Sequence, residues 1–222
     1  MSHTAGIRQT QKLKTRQALL DAALQLLEHQ SLSSLGLREV TRAVGVAPAA
    51  FYRHFTDLAE LGVALVEEAL GSLHGLVAEL LAETGDAEVR ITRTVDLIAR
   101  HVRAQPAHFR FIARERHGGS GRVRAAIATQ LDAFTDEVAR AFAAEPGSQG
   151  WTDADLHMLA GLYVEHMVLT ASAFLSAYEA ETSGDPGAAD EREIARTARN
   201  RLRIVTLGRR HWLEDDVFGV HD

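Results

Sequence analysis
Cysteine is absent from the 222-residue chain. That absence excludes a disulfide framework, thiolate metal sites and thiol nucleophiles together, and it fits a reducing compartment. Proline is scarce, with four residues, and no stretch alternates β-branched with polar residues, so an all-α protein is expected. Long uninterrupted apolar runs are missing too. The most apolar segment, Leu156 to Leu175, is broken by His157, Glu165 and His166, which suits a buried helix better than a membrane span. The opening MSHTAGIRQTQKLKTR has no apolar core of signal-peptide length, so a cytoplasmic protein with no membrane partner is expected. Eleven histidines are present, but no two form an H-x-x-x-H or H-E-x-x-H pattern, the spacings that would place ligands on one helical face. Asp153 and Asp155 beside His157 read first as acids favoured in an opening helical turn. There is no strand to carry a Gly-rich phosphate loop, and GGSG at 118–121 lacks that spacing. No catalytic residue, metal or cofactor is therefore predicted, and no enzyme.

Charge is unevenly placed. Residues 1–58 hold seven Arg/Lys against four acids, +3, so the rest carries −9 of the net −6. A basic head on an acidic body suggests a local contact with a polyanion. Both lysines lie in that head, against 22 arginines over the whole chain. Breaks at 32–36, Gly45, 56–57, 84–86, Pro106, 118–121, 145–150 and 182–189 leave nine segments of helical length. The first, about Lys12 to Gln30, carries Leu13, Leu20, Ala23, Leu24 and Leu27 on one stripe. Its cations, Lys12, Lys14 and Arg16, crowd the end where the helix dipole favours anions.

Residues 35–55, LGLREVTRAVGVAPAAFYRHF, predict two short helices joined by a turn. Leu37, Val40 and Val44 give the first an apolar face; Gly45 ends it cheaply in the left-handed region. Pro48 suits the first turn of the second, with Phe51 and Phe55 facing inward. Such a pair is a helix-turn-helix. Ala47, Ala49 and Ala50 would let the second helix approach base edges closely, and Tyr52, Arg53 and His54 form a polar run suited to phosphates or guanine. Periodicity alone fits an amphipathic helix with a solvated face equally well.

The segment resembles the TetR family of bacterial repressors at Leu24, Val40, Gly45, Val46, Phe51, Tyr52, His54, Phe55 and Leu61, over about residues 12–65. The resemblance implies a DNA-binding domain at 1–56 and a helical ligand-binding and dimerisation domain at 57–222. It implies a homodimer on palindromic double-stranded operator DNA. The DNA-contacting set would be Lys12, Lys14, Arg16, Arg38, Ala47, Pro48, Ala49, Ala50, Tyr52, Arg53 and His54. Three positions depart from the family pattern: Gly36 and Ala47 stand where hydroxyl caps are usual, and Leu58 stands where a phosphate-binding lysine is usual.

Beyond residue 60, helices of roughly 57–83, 87–104, 107–117, 119–144, 152–182 and 188–214 are expected. The eighth is apolar nearly all round and would meet a two-fold partner as well as its own core. Residues 109–127, FRFIARERHGGSGRVRAAI, taken with 37–62, resemble the subgroup that represses unsaturated fatty-acid synthesis. That implies a long-chain acyl-CoA effector, with Phe109, Phe111, Ile112, Arg114, Arg116, Leu131, Phe134, Tyr163 and Met167 around it. Arg114, Arg116, Arg122 and Arg124 could meet coenzyme A phosphates, or be solvated or paired within the protein. Two other readings stay open: a regulator answering to a drug or another metabolite, and a helical lipid carrier without DNA binding.

Overall fold
The structure is a computed structural model and describes residues 2–82, 86–185 and 189–212. Among them are nine α-helices and no strand: α1 (Ser2–Leu26), α2 (Leu37–Val44), α3 (Pro48–Phe51), α4 (Leu58–Ala82), α5 (Ala87–Ala104), α6 (Pro106–Gly118), α7 (Gly121–Ala143), α8 (Asp153–Ser183) and α9 (Glu191–His211). The all-α expectation holds. A 3-10 turn at Pro146–Ser148 is the element that the sequence reading lacks. Residue 83 of the expected fourth helix, and 188, 213 and 214 of the ninth, lie outside the described residues.

Packing divides the chain into two compact units. One comprises 1–72 and 107–130, the other 73–106 and 131–222.

In the first unit, Leu20, Ala23 and Leu27 of the expected stripe are buried, with Leu19 beside them, while Leu24 is half-buried and Leu13 is 59% exposed. α1 starts at Ser2, ten residues before the expected Lys12, and ends at Leu26. Its end tightens, with Glu28 N–H donating to Gln25 O and His29 N–H to Leu26 O, a 3-10 closure that satisfies terminal carbonyls. α4 buries Leu61, Leu65 and Val66. Its Gly62 is required by close approach: a Cβ there would lie 2.5 Å from Leu32 Cδ2 and 2.8 Å from Val123 Cγ2. α4 and α8 are each long and apolar enough to cross a membrane by composition; here both bury apolar side chains in protein cores.

In the second unit α5, α8 and α9 pack pairwise. Phe142, Leu156, Leu159 and Ala160 form a core cluster joined by Tyr163 and Val205. Thr152 caps α8 by accepting from Asp155 N–H at 3.1 Å, and the Asp155 carboxylate accepts from Thr152 N–H at 3.3 Å. Asp155 thus serves the opening turn, as its position suggested. Glu145 takes Arg90 at 3.0 Å and Arg209 at 2.6 Å. Arg103 bridges Glu181 and Glu191, each at 2.9 Å, across the α8–α9 connection.

Candidate nucleic-acid interface
The turn between α2 and α3 follows from its residues. Gly45 has φ +73°; its N–H donates to Arg42 O at 3.1 Å, and Val46 N–H donates to Thr41 O at 2.9 Å. That is the paired closure a left-handed C-terminal glycine permits. At the other end of α2, Gly36 offers no side-chain cap, but Glu39 reaches back to accept its N–H at 2.9 Å.

α3 begins at Pro48 with no side-chain cap from Ala47 and is regular only to Phe51. Phe55 N–H still donates to Phe51 O at 3.0 Å, so both rings stay buried, 5.5 Å apart. The inward pair therefore survives although the helix is shorter than expected. Asp57 caps α4, accepting Glu60 N–H at 2.7 Å. The Glu60 carboxylate accepts Thr56 N–H and Oγ1–H, at 2.5 and 2.6 Å. Those bonds hold it below the usual carboxylate range.

The expected contact face lies outside. Ala47, Pro48 and Ala49 are exposed and Ala50 is half-buried. Tyr52 is 62% exposed, its ring edge-on to Phe51 at 5.8 Å. Arg38 and Arg53 are exposed, as are Lys12 and Lys14. Among the described residues no carboxylate pairs with any of these four cations. Arg16 is half-buried, its guanidinium 5.1 Å from the centre of the Phe55 ring. His54 sits beside that ring at 6.5 Å, with Nδ1 buried and without a hydrogen-bond partner. Burial first, then Lys12, Arg16 and Arg53, push His54 below the ordinary imidazole range.

The Arg-Glu-Arg run has a structural task. Arg114 Nη1 donates to Leu27 O at 2.8 Å and to Gln30 O at 2.5 Å. Glu115, 1% exposed, accepts Leu32 N–H at 3.0 Å. Two consecutive residues of α6 therefore grip the α1–α2 loop through its carbonyls and an amide. Arg122 adds a bond to the Asp57 carboxylate at 2.8 Å, and Arg124 donates to Gly119 O. Gly119 leaves room for the buried glutamate, since a Cβ would lie 2.6 Å from Glu115 O and 2.7 Å from Oε2. Sequence reasoning missed Glu115; an acid set between two arginines and followed by glycines was the only signal.

The remaining residues expected around an effector divide between the units. In the first, Phe111 is buried while Phe109, Ile112 and Arg116 are half-buried. In the second, Phe134 is buried and stacks on His74 at 4.0 Å, and His74 Nδ1 lies 2.7 Å from Glu137 Oε1. Tyr163 packs edge-on to Phe142 at 5.0 Å and bonds Thr206 at 2.7 Å. Burial holds its phenol above the ordinary range. Leu131 and Met167 are half-buried.

A short capped helix, a left-handed glycine turn and a second short helix with a small-residue face define a helix-turn-helix protein. Residues 19–65 match the bacterial regulatory proteins of the tetR family, so this segment of the chain carries that family's N-terminal domain. An HTH-type transcriptional regulator of Haemophilus influenzae, itself uncharacterised, is 41% identical over 136 residues; the match covers 61% of this chain and 66% of that protein, just under two thirds. A protein from Syntrophomonas wolfei assigned to the TetR family of transcriptional regulators shares the fold with a TM-score of 0.70 at 14% identity, covering 88% of this chain and 96% of that one. The transcriptional regulator FadR of Bacillus subtilis, solved with stearoyl-CoA, does so with a TM-score of 0.63 at 12% identity, covering 92% and 99%.

Proposed function
We propose that the chain is a DNA-binding transcriptional regulator, a repressor that engages a palindromic duplex as a homodimer and responds to a ligand in its helical body. The observation that carries this reading is the face of α3. Small exposed residues at 47–49 allow backbone approach to base edges, and alanine methyls suit thymine methyls. Tyr52 and Arg53 follow, with Arg38 alongside, as groups for phosphates or guanine. In these terms residues 1–56 act as the reading head and 57–222 as the effector and dimer part.

Two copies on a palindrome need a self-complementary surface. Met158, Leu162 and Leu169 on α8, and Ile204 and Leu207 on α9, are large, apolar and about half or more exposed. Covering them by a second copy removes an apolar surface that a lone chain would leave in water.

For the effector we favour a long-chain acyl-CoA and control of lipid genes. Support comes from the resemblance of 109–127 to the fatty-acid subgroup and from the stearoyl-CoA bound by the Bacillus subtilis protein of the same fold. Arg114 is occupied by the Leu27 and Gln30 carbonyls, which removes it from the proposed effector contacts. A non-enzymatic, cytoplasmic role follows from this reading.

The test is binding of duplexes from upstream of the protein's own gene, with and without stearoyl-CoA, beside native mass spectrometry of freshly purified protein. Selective binding that shifts with the thioester, and a retained acyl ligand, are expected. A duplex complex indifferent to stearoyl-CoA, in a protein carrying no acyl ligand, would remove the lipid reading and keep the regulator. A retained lipid with no DNA binding would make the chain a carrier.

A further inference from the structure
The first turn of α6 sets one ionisable group against carboxylates from two other helices. The His108 side chain is 17% exposed, and its Nε2 is buried without a hydrogen-bond partner. Glu68 of α4 brings Oε1 to 3.9 Å from that nitrogen, too far for a hydrogen bond. The same oxygen accepts Gln17 Nε2–H of α1 at 3.0 Å. Gln17 Nε2 also donates to Asp21 Oδ1 at 3.0 Å, one turn further along α1. All four residues lie in the first unit. One carboxylate oxygen therefore stands between a donor it holds on α1 and a nitrogen it has not engaged on α6.

We propose that His108 is a proton switch: once protonated it draws Glu68 away from Gln17, so that a carboxylate tying α4 to α1 ties α4 to α6 instead. The output of the switch, duplex affinity, rests on the regulator reading above; the switch itself does not. An imidazolium turns the 3.9 Å approach into a charge-assisted bond of about 2.7–2.9 Å, roughly twice as strong as the neutral amide donor it replaces. Gln17 loses little, because Asp21 on its own helix remains as acceptor. The α1–α4 bond is thus the one that gives way, a local charge change acting on an element with two alternative partners.

Burial holds His108 below the ordinary imidazole range, while Glu68 from α4 and Asp21 from α1, the charged groups that act on it, pull the other way. The ring is therefore neutral at and above pH 7, and the switch turns as pH falls below the ordinary imidazole value. α1 packs on α2, the first helix of the reading pair. Releasing α1 from α4 loosens the seat of that pair, and duplex affinity falls with acid.

The experiment uses the full chain. NMR follows the His108 ring and the Gln17 side-chain amide from about pH 8 to about pH 5, with His108→Asn and Gln17→Ala giving the assignments. In wild type the Gln17 amide should shift with the same midpoint as the ring, and in His108→Asn that shift should vanish. Gln17→Ala frees Glu68 for the ring and should raise the His108 midpoint; Glu68→Gln should lower it. Over the same pH range, wild type should lose duplex affinity relative to His108→Asn by roughly 2- to 10-fold, the equivalent of one net hydrogen bond. A Gln17 amide that ignores the His108 ring, or a His108 midpoint unmoved by Gln17→Ala, would overturn the switch while duplex binding still upheld the regulator reading. An affinity ratio of wild type to His108→Asn that stays constant with pH would overturn its link to DNA. The paired NMR shifts in a chain that binds no duplex would uphold the switch and overturn the regulator.

Discussion

Gly62→Ala perturbs the head at its tightest contact, and the structure sets the size of the effect. The new methyl would sit 2.5 Å from Leu32 Cδ2 and 2.8 Å from Val123 Cγ2. Both neighbours are ends of side chains in a buried cluster, so they must shift, and overpacking of this kind costs about 1–3 kcal/mol. Replacing glycine by alanine within a helix returns about 0.5–1 kcal/mol. A net loss of up to about 2.5 kcal/mol is expected, read as a lower urea midpoint at unchanged m and fixed protein concentration. Leu32→Ala removes the nearer atom and leaves a hole that the new methyl partly fills. The double variant should therefore be more stable than the sum of the singles by about 0.5–3 kcal/mol, the range for residues in contact. An additive cycle, or a Gly62→Ala protein that gains stability, would refute the packing of α4 on the α1–α2 loop.

Other expectations follow from the same unit and its neighbour. Ala47→Ser supplies the missing cap of α3 and should stabilise the head by about 0.5–2 kcal/mol in thermal melts. Gly45→Ala meets open space but must hold φ +73°, so about 1–2 kcal/mol of stability should be lost through backbone conformation alone. His108 and His166 are both held below the ordinary imidazole value of 6.5, burial being the first cause for each. The unfolded chain then protonates first as pH falls, so stability present above that value is lost as pH drops through the folded values. Urea midpoints should decline from pH 7 towards 5, less steeply in His108→Asn and His166→Asn.

Much of this fold is visible in the residue pattern because helix ends carry local chemistry. Gly45, Pro48, Pro106, Asp57 and Thr152 each mark a boundary through their own backbone or side-chain preference, and the helices start and stop near them. The start of α1 was not visible, since the residues before the apolar stripe show no apolar period in the sequence. The short α3 was overestimated because Phe51 and Phe55 hold the inward spacing whether or not the helix continues. Exposure of Ala47–Ala49, Tyr52 and Arg53 was legible from the phenylalanine positions opposite them. The bonds of Arg114 and Glu115 to residues 27–32 were not, because they join groups more than eighty positions apart, and no local pattern encodes such pairing. The same limit applies to His54, whose position among Lys12 and Arg16 depends on how α1 packs beside Phe55.

Ala49→Glu tests the central claim most directly. The residue is exposed on α3, so the substitution should leave the melting temperature unchanged while placing a carboxylate against base edges and phosphates. Like-charge juxtaposition at an interface costs several kcal/mol, and duplex affinity should fall on the order of 100-fold. Equal affinity of Ala49→Glu and wild type for the same duplex would contradict a DNA-reading role for this face.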